Sequence, residues 1–419
     1  MSDLMKHLVE FTHCDLAQAE DARRMMSLSL LDWAACGRAG AAEPVSRITR
    51  DMVLAEGGQG AATLFGSRAC VPPRAAALVN GATSHALDYD DTHFAHIGHP
   101  SVAVIPAALA VAQDRDASGG DFLDACLVGF EASIRIGTWL GRAHYQIGFH
   151  QTATAGAFGA TVAAARLMGL TPDQTAQALG VASTRAAGLK SQFGTMGKPY
   201  HAGLAAQTGV EAATLARAGF QSNPKGLDGP QGFGPTHAGE GNLAALDGLN
   251  KDWWILAISH KFHACCHGTH AMLEALASLP PPNTVDEVVV ATHPRWLTVC
   301  NIPAPATGLE VKFSYAHVAA MALSGVPTGA LESFSDAVAQ DPALVALAAK
   351  VRVEADDAIP ETATRVRVNG QEAAFDLDAP IPLDVRQEKL LTKARALLGA
   401  EADGLWASIK AGPDLGALT

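Results

Sequence analysis

The stretch "LDYDDTHFAHIGHPS", Leu87 to Ser101, places Asp88, Asp90 and Asp91 ahead of His93, His96 and His99. Three carboxylates and three imidazoles so close together could ligate a divalent cation, move protons, or form a polar loop. Zinc accepts such ligands, but no HExxH or paired CxxC accompanies them. His99 also precedes Pro100. A residue before proline is disfavoured in a helix, which weakens any helical row of the three histidines. Acid–base chemistry has other needs. Removing a proton next to a carboxylate takes a positioned base, and cations or hydrogen-bond donors on the carboxylate that gathers charge. Histidine titrates near neutral pH, a neighbouring aspartate fixes its tautomer, and lysine supplies the charge.

Three further stretches carry ionisable groups among small and apolar residues. "GRAHYQIGFHQTATAGAFG" holds His144 and His150. "SQFGTMGKPYHAGLAA" holds Lys198 and His201. "ISHKFHACCHGTHAM" holds His260, Lys261, His263, His267 and His270. Burying an unpaired charge costs several kcal/mol, so these groups must pair, be solvated or line a cavity. Lysine is absent between Lys6 and Lys190, which singles out Lys198. Its neighbours Gly194, Gly197, Pro199 and Gly203 suggest a fixed backbone that lets a ligand approach closely. The glycine-rich "KGLDGPQGFG", Lys225 to Gly234, lacks the GK[ST] ending of a phosphate loop and has no strand before it, so it reads as a flexible surface loop. No dinucleotide fingerprint follows a predicted strand elsewhere.

The elements that must position these groups are mostly helices. "DARRMMSLSLLDWAACGRAG", "SVAVIPAALAVAQDR", "GGDFLDACLVGFEASIRIGTWLG", "HQTATAGAFGATVAAARLMGL" and "AAQTGVEAATLARAGF" have apolar positions at helical spacing. Thr171 and Pro172 give one more helix an N-cap and a proline first turn. "RAAALVNGATSHALDY" reads as a helix running into the polar cluster. Small residues on many faces imply close helix–helix approach. After about Asn283 the texture changes. "TVDEVVVATHP", "KVRVEADD" and "TATRVRVNGQEAAFDL" read as strands, with Asn369-Gly370 as a hairpin turn. The expectation is a mostly α protein: a large all-helical domain over 1–264, a smaller α+β domain over 265–380, and C-terminal helices over 381–419 returning to the helical domain.

Composition narrows the partners. The 419 residues carry a net charge of −12, which makes nucleic acid a poor partner because phosphate neutralisation needs clustered Lys and Arg. No apolar run approaches the ~20 residues of a membrane span, and the N-terminus lacks an apolar signal core. Seven cysteines without a CxxC argue for a reducing, cytoplasmic setting.

"NGATSHALDYDDTHFAHIGHPS", "GFHQTATAGAFGA", "FGTMGKPYHAGLAAQTG" and "LEVKFSYAHVAAMAL", in that order, resemble the MmgE/PrpD family, whose members dehydrate, decarboxylate or epimerise small carboxylates. The resemblance implies a helical domain, a smaller α+β lid domain, a homodimer, and a metal-free, cofactor-free site between the domains for a small anionic carboxylate. It matches Asp88 and Thr92 to the DxDDT motif, His99 to the histidine of HPS, His150 to the histidine before the small-residue helix, Lys198 to the KPxHAG lysine, and Lys261 to the lysine near the lid domain's start. Dehydratase- and decarboxylase-like members carry tyrosine three residues after the serine of KFS. This chain has His317 there, with Tyr315 two residues earlier. A hydroxyl with a pKa of about 10 is thereby replaced by an imidazole of about 6.5.

The expected chemistry is formation and quenching of a carbanion beside a carboxylate. Lys198 and Lys261 neutralise carboxylates, and His99 and His150 are base and acid in either order. Asp88 orients a histidine, and Thr92, His201 and Tyr315 contact substrate. His317 relays a proton. Asp90 and Asp91 read as loop-shaping groups, and His93 and His96 as bystanders. Expulsion of hydroxide or CO₂ would make a lyase, and the resemblance favours this. Reprotonation on the opposite face would make an epimerase or isomerase. A metal-dependent hydrolase using the His/Asp cluster and a non-catalytic carboxylate binder stay open as different classes.

Overall fold

The structure is a computed structural model that describes residues 2–419. The chain divides into two compact units, one running through His260 and resuming over Leu398–Thr419, the other Lys261–Leu397. The helix Leu383–Leu398 therefore goes with the smaller unit, where Lys389 forms an ion pair with Glu274 at 2.5 Å. Only the last helix, Glu401–Ala411, goes with the larger one.

The larger unit is built on five helices that pack on one another: Pro73–Ser84, Ser101–Asp114, Gly119–Ile147, Gln151–Leu167 and Gly197–Arg217. Glycine lets their backbones meet. A Cβ on Gly203 would lie 2.2 Å from the carbonyl oxygen of Leu78, and one on Gly129 would lie 2.7 Å from that of Gly159. The interior is correspondingly rich in alanine, including Ala77, Ala107, Ala160, Ala164, Ala206 and Ala213. The small-residue faces read from the sequence are thus the contact faces. The helix expected to run into the polar cluster instead stops at Ser84. Thr171 caps the helix Pro172–Arg185 in a capping box with Gln174.

Two features hold the loops. Glu131 and Arg135, both buried on the helix Gly119–Ile147, pair at 2.7 Å. Glu131 accepts the amides of Trp254 and Ile255, and Arg135 donates to the carbonyls of Ala245, Asp247 and Asp252. That clamp fixes the connection leading to Ser259. The glycine-rich Lys225–Gly234 segment is not the flexible surface loop expected. It folds back through Phe233 N to Gly226 O at 2.7 Å and Gly234 N to Leu227 O at 2.8 Å, and it buries Leu227 and Phe233.

The smaller unit holds a four-stranded sheet in the order Val351–Ala355, Val288–Thr292, Ala363–Val368, Gln371–Asp376. Val288–Thr292 is the buried centre, parallel to the first neighbour and antiparallel to the second. Asn369 and Gly370 turn the last hairpin with φ of 48° and 86°, the left-handed pair that the sequence signals. The helix His270–Ala277 packs on the two hairpin strands. The result is a mostly helical protein with a small α+β domain. Among the described residues no helix is long and apolar enough to cross a membrane.

Candidate active site

The polar cluster folds within the larger unit as a loop between the helices Pro73–Ser84 and Ser101–Asp114. Its backbone is strained. Asp88 sits at φ 49° and Ile97, a β-branched residue, at φ 54°. Hydrogen bonds hold these shapes: Ile97 N to His93 O at 2.8 Å, His93 N to Gly98 O at 2.9 Å, and reciprocal amide–carbonyl bonds between Thr92 and Ser259 at 2.9 and 2.8 Å.

The loop places one carboxylate between two imidazoles. The Nδ1 of His85 lies 2.8 Å from Asp90 Oδ1, and the Nδ1 of His99 lies 2.8 Å from Asp90 Oδ2. Their rings approach to 4.5 Å between centroids. A carboxylate only accepts, so His85 Nδ1 is the donor in its hydrogen bond to Asp90, whereas His99 Nδ1 lies at contact distance from Asp90 Oδ2 without making a hydrogen bond. The His99 Nε2 faces Asp88 Oδ1 at 3.6 Å, and Lys198 Nζ donates to Asp88 Oδ2 at 2.6 Å. Asp88 is the outermost group, its side chain 46% exposed, while Asp90 is fully buried.

The other expected residues of this unit join the same cluster. His150 is the N-cap residue of the helix Gln151–Leu167, its amide fixed by the carbonyl of Gly188. Its Nδ1 meets the Nδ1 of His201 at 3.2 Å, and its ring stacks 6.2 Å from that of His85. Phe193 packs edge-on to His150 and lies under the Lys198 ammonium, 5.4 Å from ring centre to Nζ. The Thr92 hydroxyl donates to Ser259 O at 3.4 Å. His99, His150 and Lys198 each stand at the start of a helix, so three positive dipole ends meet where these side chains gather.

Burial and neighbouring charges favour the uncharged forms of His99 and His150. Burial lowers His99 to about 4, against the pull of Asp90 and with help from His85 and Lys198. His150 is held well below its usual range by burial, then by Lys198, His85, His99 and His201. Burial pushes Asp90 up, but His85 and His99 outweigh it and hold the carboxyl well below the usual range. Asp91 goes the other way, to about 8, through burial and the nearby Asp32 and Asp90. It is a buried acid that accepts the Ser101 amide at 3.3 Å.

His85, Asp88, Asp90 and His99 bring four donor atoms within 4.8 Å, close enough for a cation. Lys198 already donates to Asp88, so a cation held by the Nε2 atoms of His85 and His99 would compete with that ammonium for Asp88.

Two expectations need correction at this level. Asp90, read as loop-shaping, lies 2.8 Å from His99 Nδ1, whereas Asp88, expected to orient a histidine, faces His99 Nε2 at 3.6 Å and takes the Lys198 ammonium at 2.6 Å. His85 was absent from the expected site and is a full member of it. His93 and His144, by contrast, are structural: His93 Nε2 donates to Trp254 O at 3.1 Å, and both His144 nitrogens are engaged, by His237 O and the Thr154 hydroxyl.

Lys261, Tyr315 and His317 belong to the smaller unit, where all three are buried. Tyr315, expected to touch substrate, donates its hydroxyl to Gly268 O at 2.6 Å and lies 3.2 Å from the Thr292 hydroxyl. It ties the segment after Lys261 to the central strand. His317, expected to relay a proton, has Nε2 bonded to the Val338 carbonyl at 3.0 Å, a group that cannot pass a proton on.

Models of the MmgE/PrpD N-terminal domain and C-terminal domain match residues 3–245 and 263–377. The chain belongs to the MmgE/PrpD family. Among curated relatives it is 29% identical to a cis-aconitate decarboxylase of Aspergillus terreus over 414 residues, covering 89% of this chain and 84% of that one. It is 32% identical to the human cis-aconitate decarboxylase over 301 residues, 68% of this chain and 62% of that one. It is 33% identical to the cis-aconitate decarboxylase-like protein oryM of Aspergillus oryzae over 267 residues, 60% of this chain and 55% of that one. The match thus spans about half the length of that last relative. The two MmgE/PrpD matches meet the helical and α+β units in chain order, with the four motif stretches inside them.

Proposed function

We propose that the protein is a lyase of the decarboxylating type, acting on a small di- or tricarboxylate without metal or cofactor. The observation that carries this reading is the array Lys198–Asp88–His99–Asp90–His85, with His150–His201 beside it, at the starts of three helices. Helix N-termini and a lysine favour an anion, and imidazoles oriented by a carboxylate serve proton transfer. The activity for which the relatives are named, cis-aconitate decarboxylation, supports the same class.

In this reading a substrate carboxylate takes the place of Asp88 on the Lys198 ammonium. A polyanion among neutral imidazoles raises their affinity for protons, so His99 or His150 binds one as the substrate enters. Loss of CO₂ leaves the electron pair of the broken C–C bond on carbon, spread onto the neighbouring carboxylate. The imidazolium delivers its proton there, so one proton is consumed and one CO₂ released. Thr92 is given a hydrogen bond to substrate by its match to the family motif. The homodimer and the cytoplasmic setting belong to the same proposal.

One observation favours a second reading. Two imidazoles held uncharged side by side also suit removal and return of a proton, the work of an epimerase. Proton NMR of di- and tricarboxylates in D₂O, with cis-aconitate among them, separates the two. A lyase gives CO₂ and a product carrying one new C–D bond. Exchange without net conversion would establish the epimerase instead, and neither reaction with any substrate would sink both. Stoichiometric zinc in the purified protein, removed together with activity by a chelator, would replace both with the metal-dependent hydrolase.

A further inference from the structure

His85 stands inside the motif stretch NGATSHALDYDD without a role of its own there, yet it is the most buried member of the histidine cluster. It follows the last residue of the helix Pro73–Ser84 and serves as its C-cap residue. Its side chain is completely buried and its Nδ1 donates to Asp90 Oδ1 at 2.8 Å. Asp90 Oδ2 faces His99 Nδ1 at the same distance. The Nε2 of His85 is buried and has no hydrogen-bond partner. In His144 both nitrogens are engaged. His85 leaves one bare, 6.2 Å ring to ring from His150.

We propose that His85 is a positioning residue for His99: by occupying one oxygen of Asp90 it fixes the carboxylate in place and limits how strongly Asp90 draws a proton onto His99. The inference deepens the proposed function and rests on it only for the catalytic meaning of His99. The physical argument is one of sharing. A carboxylate with a single N–H donor stabilises imidazolium strongly, and the affinity of that imidazole for a proton rises. A second donor on the other oxygen takes up part of that basicity. The base therefore stays uncharged although an anion touches it. The groups facing His99 all enter this balance: Asp90 and His85 on the Nδ1 side, Asp88 and Lys198 on the Nε2 side, and His96 and His150 nearby.

Nitrogen-15 NMR of histidine-labelled resting protein tests this without any substrate, so its outcome is separate from that of the lyase reading. Wild type at neutral pH should show both His85 and His99 as Nδ1–H tautomers, assigned by loss of signals in His85→Asn and His99→Asn. Finding either as the Nε2–H tautomer would overturn the proposal. In His85→Phe, which keeps a ring but no donor, the His99 titration midpoint should rise by about one pH unit. His85→Asn keeps a donor toward Asp90 and should bring the midpoint most of the way back. A folded His85→Phe with an unmoved His99 midpoint refutes the sharing. Should His85→Phe fail to fold, the wild-type tautomers and Asp90→Asn decide, since Asp90→Asn must perturb the signals of both histidines. In assays, whichever limb of the pH profile His99 sets moves upward in His85→Phe, because base and acid roles depend on the same midpoint.

Discussion

At the residue scale the site is a row with His99 between two carboxylates and the Lys198 ammonium at its outer end. His99 depends on two carboxylates that do different things. Asp90 lies 2.8 Å from its Nδ1 on the buried side, and Asp88 stands in front of its Nε2 with Lys198. Asp90→Asn lets the amide present either oxygen or nitrogen and releases the tautomer, so kcat should fall on the order of 10³-fold with KM little changed. Steady-state kinetics at saturating carboxylate check this, and a fall confined to KM would show that Asp90 only shapes the loop. Lys198→Ala removes the ammonium that meets the substrate carboxylate. It should lower kcat/KM by about 10²-fold or more while leaving the urea unfolding midpoint unchanged. Retained activity would remove Lys198 from the mechanism. Most of these residues are legible in the sequence, because lysine is rare in this chain, His99 and Lys198 each stand between glycine and proline, and His150 leads into a small-residue helix. Asp90 and His85 are not legible for one reason. Their five-residue spacing matches no helical or strand repeat, and only the reversal through Asp88 at φ 49° turns both onto His99.

At the scale of elements, the helix Gly197–Arg217 carries Lys198 and His201, and its seat on Pro73–Ser84 sets where they point. That seat is glycine on backbone. A Cβ at Gly203 would stand 2.2 Å from Leu78 O, and one at Gly81 would stand 2.8 Å from Gly203 Cα. Gly203→Ala must push the two helices apart, at a cost of about 1–3 kcal/mol, and should displace Lys198 enough to lower activity as well. Gly404, in the exposed part of the last helix, has nothing within 4 Å of its would-be Cβ. Gly404→Ala should instead stabilise by about 0.5–1 kcal/mol. Urea unfolding of the two variants side by side is the check, and equal shifts would mean that close approach does not govern the first. The helices themselves are legible from alanine-rich periodicity, and the hairpin from Asn369-Gly370. Less so are their ends. The helix through "NGATSHALDY" keeps its apolar period past Ser84, yet the chain leaves it there, because the Asp90 contact to His85 needs a turn that the helix would forbid. The parallel pairing of Val288–Thr292 with Val351–Ala355 is also invisible in periodicity, since either direction buries the same residues.

At the scale of the whole molecule, a chain of net charge −12 gathers histidines in its interior and keeps them neutral. In the larger unit burial lowers His93 to about 4, His96 to about 3 and His99 to about 4, and holds His150 well below its usual range. For each, the folded pKa lies below the unfolded value of about 6.5. The unfolded chain therefore binds more protons once the pH drops under about 6.5, and folding stability is lost from there down to the folded values. At pH 5 His93, His96 and His99 each cost roughly 2 kcal/mol, and His150 acts in the same direction. Asp91, raised to about 8, works in the opposite direction: its protonated form is the folded one, so acidification between about 8 and 4 favours folding. One aspartic acid offsets roughly one histidine over this interval, which leaves about two and His150 uncompensated and a net loss of several kcal/mol against a typical stability of about 5–15. The urea midpoint at constant ionic strength should therefore fall steeply between pH 7 and pH 5. His93→Asn should shallow that fall, since the amide can keep a bond to Trp254 O without titrating. A midpoint that is flat or rises toward pH 5 would mean that these histidines are solvated, and with them the pocket that holds His99 as an uncharged base.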